Sequence, residues 1–313
     1  MPVLSVSYRA ITAVVPMDRV DTVAFFTDPT IRRGSPIDLF VGNSLIINKV
    51  YTSYVHDRAA WLPEIGSLVV LGYMSAVESY IRALITGLIN FDEKTRERAG
   101  PKQVTFGVAT RHPDPKLLPE ALLENTSFSG AKAVKSAFAD FLGLNNVPPD
   151  VTLALEEFDK ICQLRHCCVH RFGKLGSKNA MDLGFKEHRE IIERPFKPTL
   201  DNVMLITNTL TTFVRTINNF VFFSILDQTV HHGLQKEIER EWSWIYAKDR
   251  PRFLRYYDFF ACTAAEPKSE PLRQVYEDFK VQHAAMIAKR KRSSEAPLHP
   301  TPPAEVPATP ARR

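Results

Sequence analysis

Apolar residues recur at helical spacing over most of this chain. From Leu68 to Leu88, Val70, Met74, Val77, Ile81, Leu84, Ile85 and Leu88 form the i, i+3, i+4 stripe of a long amphipathic helix, with Glu78 and Arg82 one turn apart on its polar side. A second periodic run follows the cap-like Ser127-Phe128-Ser129, with Val134, Phe138, Phe141 and Leu142 on one face and Gly143 placed to end it. Asp150 is a candidate N-cap for a third helix, whose stripe is Val151, Leu155, Phe158 and Cys162 and whose stop is Gly173. A fourth starts at Thr199 and runs through Leu226, with Val203, Ile206, Leu210, Phe213, Val214, Ile217 and Val221 in register. Four long amphipathic helices in succession predict a mainly α protein built as an up-and-down helical bundle.

The remaining segments read differently. Between Asn90 and Phe128 the period dissolves among Pro101, Pro113, Pro115 and Pro119 and charges of both signs, which predicts a long functional or mobile connection. Beyond Gly233, segments 234–246, 250–262 and 270–288 read as additional C-terminal helices. From Ser293 onward prolines dominate and large apolar residues nearly vanish, so ordering entropy has nothing to offset it and a disordered tail is expected. At the other end Val3, Leu4, Val6 and Ile11 to Val15 favour strands, whereas Leu39 to Tyr54 reads as helix. The expected division is an N-terminal extension of undefined structure (1–60), a helical domain (61–232), a C-terminal helical extension (233–290) and a tail (291–313).

The net charge of +5 points toward nucleic acid, but from Lys289 onward six cations face two carboxylates, so the folded body is close to neutral. Lys289 to Arg292 reads as an electrostatic RNA contact or as a solvated charge run. The first twenty residues lack the basic and apolar regions of a secretory signal, and the most apolar run, Phe220 to Leu226, is only seven residues. Cys162, Cys167 and Cys168 lie in one helical segment, which fits reduced thiols better than a disulfide framework. A soluble, cytoplasmic protein without membrane contact is expected.

The candidate chemistry concentrates in Arg165-His166-Cys167-Cys168-Val169-His170, the last two turns of the third helix. At about 100° per residue Arg165 continues the Val151, Leu155, Phe158, Cys162 stripe, so a guanidinium occupies a position that calls for an apolar side chain. Such a charge requires a partner, either an internal carboxylate such as Glu78 or an interface. His170 lies about 140° further round, on another face. A two-fold axis between two copies answers that geometry, because the helix end of one subunit then meets the helix body of the other. Two arginines and two histidines lining one cleft suit RNA cleavage by the neighbouring 2′-hydroxyl, a reaction that needs no metal or cofactor. Guanidinium contacts phosphate bidentately; His170 suits either proton transfer or hydrogen bonding to the transition state.

Other signals compete. Cys162, His166 and His170 are one turn apart in series, a spacing that presents metal ligands, but no Cys-x-x-Cys or His-Glu-x-x-His motif supplies a partner. Cys167 and Cys168 read as packing residues rather than nucleophiles. Arg250, Arg252 and Arg255 interleave with Trp242, Trp244, Tyr246, Tyr256 and Tyr257, which suits either RNA stacking or, as the plainer reading, core packing.

The stretch LRHCCVHRFGKLGSKNA, Leu164 to Ala180, resembles the motif helix of the HEPN superfamily of ribonuclease domains, closest to its RiboL-PSP-HEPN branch. LGYMSAVESYIRAL and SFSGAKAVKSAFADFLGL resemble the segments that precede it, so the likeness spans roughly Trp61 to Leu226. The resemblance implies a dimerising helical domain with metal-independent endoribonuclease activity carried by Arg165 and His170. His166 matches the motif's polar residue, with Glu78, Arg171 and Lys174 in support. It further implies a toxin or antiphage defence role with an antitoxin or regulatory partner; family members without activity serve as binding modules. Cys167-Cys168 inside the motif and Phe172 after it depart from the pattern.

Overall fold

Pro63 opens the helix around which the protein is assembled, since a proline at the first helical position gives up an amide that has no partner there. The structure, a computed structural model, describes residues 12, 17–27, 34–111, 114, 117–232, 242–285 and 288. Among these the chain forms eleven α-helices and no strand: α1 (Pro36–Asn48), α2 (Pro63–Phe91), α3 (Glu93–Ala99), α4 (Phe106–Arg111), α5 (Leu118–Ala121), α6 (Ala131–Ala137), α7 (Pro149–Arg171), α8 (Ser177–His188), α9 (Leu200–His232), α10 (Tyr246–Phe260) and α11 (Leu272–Gln282). The protein is thus mainly α.

Aromatic contacts give the helix directions. Phe158 of α7 stacks on Phe213 of α9, with ring centroids 4.3 Å apart and planes 3° from parallel. Leu164 and Ile206, each further toward the opposite end of its helix, line one cavity, so α7 and α9 run antiparallel. Gly66 lets α2 approach the start of α9, where a Cβ would stand 2.9 Å from Val203, and Tyr80 donates to Asn218 at 3.2 Å, so α2 and α9 run in the same direction. Phe40 meets Tyr80 while Ile47 lies over Gly72, which sets α1 antiparallel to α2. The result is an up-and-down bundle of α1, α2, α7 and α9. Its core holds Val70, Val77, Ile81, Leu84, Ile85 and Leu88 of α2 with no solvent exposure at all. Among the described helices, only α2 has the length and apolar composition to cross a membrane, and its apolar face is this core.

The structure divides the chain at Arg33/Gly34 rather than at 60/61. In the first unit, Met1–Arg33, the described residues make one 3-10 turn, Val23–Phe25, with the Val23 amide donating to Asp21 at 3.1 Å. The strands expected within 3–15 lie outside the described residues, Thr12 apart. In the second unit, α1 joins the bundle and is tied to the end of α10. Ser35 donates to the Ala261 carbonyl at 2.6 Å, and Asp38 accepts from the amides of Thr263 and Ala264 at 2.7 and 2.9 Å. α10 packs on α9 through Phe260 against Phe222, and Asn218 donates to the Phe260 carbonyl, so the C-terminal helices complete the same core. Most of segment 234–246, the Lys289 to Arg292 run and the tail lie outside the described residues.

Helix ends depart from expectation where tertiary neighbours supply the cap. Gly130, not a serine, is the N-cap of α6, and the Ala131 amide donates to Asp159 of α7 at 2.8 Å. The run then widens into a π turn, Phe138–Leu142, that Gly143 ends at φ 68°. For α7 the cap is Pro148, with Asp150 inside the first turn.

Candidate functional site

The end of α7 is exposed because its core-facing stripe outruns its cover. Val151, Leu155, Phe158 and Cys162 are 2% exposed or less. The next positions on that stripe are Arg165, which is partly exposed, and Val169, which is 47% exposed. Arg165 has no hydrogen-bond or ion-pair partner among the described residues. Glu78 does not pair with it: its carboxylate lies 3.6 Å from Arg82 and accepts the Phe128 amide at 3.3 Å. Arg82 is held in turn by the Leu123 carbonyl at 2.8 Å. The guanidinium of Arg165 is therefore a charge on a core stripe without an internal counter-ion.

His166 and His170, four residues apart, lie side by side in solvent, with ring centroids 4.4 Å apart and planes at 47°. Partial burial pushes the His166 pKa below its ordinary value, and the charges of His170, Arg165 and Lys178 push it the same way against the opposing pull of Asp182. His166 is thereby favoured as a neutral, proton-accepting imidazole. Lys178 and Asp182 come from α8, a helix that sequence periodicity did not reveal. Gly184 breaks α8 at φ 110° and ψ 98°, which leaves too short an uninterrupted period to read.

Past His170 the helix ends in a strained turn. Phe172 adopts the left-handed conformation at φ 51°, Gly173 follows at φ 87°, and the Gly173 amide donates to the Cys167 carbonyl at 3.0 Å. A bulky residue in that conformation costs of order 1 kcal/mol or more, and here the Phe172 ring is 96% exposed. Val169, Phe172 and, beside the Ser67 that hydrogen-bonds Cys168, the 64% exposed Leu68 give the neighbourhood of the site exposed apolar character.

Two of the other predicted residues are placed near this end without joining the histidines. Arg171 is engaged with Glu193 at 2.5 Å, and Lys174 follows the helix, exposed, its backbone bridging Pro195. Arg250, Arg252 and Arg255 lie on α10, which packs on α9, α11 and α1, whereas α7 packs on α9, α8, α2 and α6. Arg252 sits 4.3 Å over the ring of Trp242, and Arg255 5.9 Å over Phe91. Trp242 and Tyr256 are buried, so these aromatics form core, as the plainer sequence reading has it.

Cys162 is buried whereas His166 and His170 are exposed, and among the described residues no group of three or more His, Cys, Asp or Glu side chains is placed to share a metal ion. Burial raises the pKa of Cys167 and of Cys168, which keeps both thiols protonated near neutral pH. Comparison with known proteins returns no match, whether to a family model, a characterised protein or a solved structure. The functional reading rests on the residues and their geometry.

Proposed function

We propose that this chain is a metal-independent endoribonuclease whose site is completed by a second copy of itself. The observation that carries the reading is Arg165, a guanidinium without a hydrogen-bond or ion-pair partner among the described residues, at the uncovered end of a core stripe and next to the His166 and His170 pair. In the reaction the 2′-oxygen attacks the adjacent phosphorus, its proton passes to an imidazole, and the P–O5′ bond breaks as the departing 5′-oxygen receives a proton. The products are a 2′,3′-cyclic phosphate and a 5′-hydroxyl. Arg165 binds the non-bridging oxygens as charge builds on them. His166, held below its ordinary pKa, suits the accepting role, and His170 the donating one.

A second copy is required by the geometry of displacement. Attacking and leaving oxygens stand on opposite sides of phosphorus, whereas histidines 4.4 Å apart on one helix stand on the same side. Base and acid from facing subunits flank the phosphate, and the exposed Val169, Phe172 and Leu68 provide apolar surface for that contact. The roles in toxicity or antiphage defence and the associated antitoxin rest on the family resemblance alone.

The decisive experiment incubates the purified wild type and His170→Ala with total RNA and tRNA in EDTA. Cleavage by the wild type to cyclic-phosphate ends, lost in the variant, is expected. No cleavage by the wild type, or equal cleavage by both, rejects the proposal. The same exposed apolar residues also suit a non-catalytic helical binding module. In that case the substitution lowers self-association and there is no RNase activity to lose.

A further inference from the structure

Behind the turn that ends α7, on the side of Cys167, lies a cavity of about 500 Å³ bounded by α8, the segment that follows it and the first turns of α9. Its size falls within the range that accommodates a drug-sized ligand, roughly 300–1,000 Å³. Backbone hydrogen bonds hold its walls: the Phe196 amide donates to the Gly173 carbonyl at 2.8 Å and the Leu175 amide to the Arg194 carbonyl at 3.1 Å. Gly173 permits this fold-back by its φ of 87°, a left-handed conformation that favours glycine.

The lining has two chemical parts. Leu164, Leu175, Leu183, Ile191 and Ile206 make the aliphatic part, with the 65% exposed Leu205 beside them, and Phe196 is the one phenyl ring among the described lining residues. Besides the buried Cys167 thiol, the ionisable residues of the lining are His188, Arg194 and Lys197, and among the described residues that line it there is no carboxylate. Arg194 and Lys197 are exposed and have no ion-pair partner among the described residues. The ring nitrogen Nδ1 of His188 lies 2.8 Å from the Gly184 carbonyl and donates to it. Asn202, the remaining polar side chain, accepts from the Thr199 amide and hydroxyl, so it is committed to the start of α9.

We infer that this cavity binds an anionic amphiphile, with an aliphatic chain filling the interior and an acidic head held by Arg194 and Lys197. Burial of the chain removes apolar wall from water, which favours binding in proportion to the area covered. Two cations without a counter-ion among the described residues select the sign of the head, since charge-assisted hydrogen bonds to an anion are the strongest they can form. A nucleobase fits less well, because it needs several in-plane polar partners and gains most from aromatic stacking. The inference is independent of RNA cleavage and uses other residues.

Isothermal titration of the full chain with decanoate, decyltrimethylammonium and AMP tests it. Saturable one-to-one binding of decanoate is expected, with the cationic amphiphile and AMP binding at least roughly tenfold more weakly. Arg194→Glu combined with Lys197→Glu, both on exposed side chains, is expected to weaken decanoate by roughly tenfold or more. Leu183→Trp, which fills the interior, removes binding in a chain whose circular dichroism is unchanged. Absence of saturable decanoate binding, equal affinity for the cationic amphiphile, preference for AMP, or undiminished affinity in the rim variant would each overturn the assignment. Should Leu183→Trp fail to fold, the rim variant decides.

Discussion

Replacing Arg165 by leucine separates a phosphate contact from a structural one. The position belongs to the stripe of Val151, Leu155, Phe158 and Cys162, and removing the guanidinium breaks no ion pair among the described residues. Stability should therefore change by no more than about 0.5 kcal/mol, the range of substitutions that sever no specific interaction. Catalysis should respond differently. One hydrogen bond to a charged group is worth about 1.5–3 kcal/mol, and a bidentate pair to the transition-state phosphate about 3–6 kcal/mol, a rate loss of roughly 10² to 10⁴. Arg165→Lys retains the charge but not the planar fork and should fall between the two. The assay is cleavage of a fluorophore-quencher RNA in EDTA by wild type and both variants, with urea unfolding of each in parallel. Leucine retaining full activity refutes the phosphate role. Activity lost together with about 2 kcal/mol or more of stability refutes the claim that Arg165 has no structural partner.

Further outcomes follow from the packing. Phe158→Ala removes a fully buried ring stacked at 4.3 Å on Phe213; a loss of about 3–5 kcal/mol in urea unfolding is expected, and a loss below about 1 kcal/mol would contradict the stack. Phe172→Gly relieves a left-handed residue whose ring is 96% exposed; it should stabilise the monomer by about 1 kcal/mol yet weaken self-association in sedimentation, and unchanged association would remove Phe172 from the interface. His166 has its folded-state pKa lowered, so below the ordinary value of 6.5 the unfolded chain binds more protons than the folded one. Its contribution is fully present above that value and is lost as pH falls through it; the urea midpoint should drop between pH 7.5 and 5.5 by less in His166→Gln than in the wild type. For Asp38, burial works to raise the carboxyl pKa, but hydrogen bonds from Thr263 and Ala264 outweigh it and hold the pKa below the ordinary carboxylate range. That stabilisation is present above the ordinary value and is lost as pH falls through the depressed one, so Asp38→Asn should flatten the acid limb of the melting temperature.

The long helices and the anomaly at Arg165 are legible in the order of residues. Periodicity is a property of a single helix, 3.6 residues per turn, and Val70 to Leu88 or Val203 to Val221 display it without reference to any neighbour. The same counting shows that a guanidinium interrupts an apolar stripe. Tertiary structure alone decided what that guanidinium meets. Glu78 was a reasonable partner by its place on the polar side of α2, but Arg82 one turn along holds it, and only the register of α2 against the Phe128 segment and α7 settles which charge is reached. Likewise the cap of α6 comes from Asp159, 28 residues away in sequence, and α8 escaped detection because Gly184 breaks its period before Lys178 and Asp182 can be recognised as neighbours of His166. Contacts between distant segments depend on how rigid helices settle against one another, and that arrangement is fixed by the whole core rather than by any local run of residues.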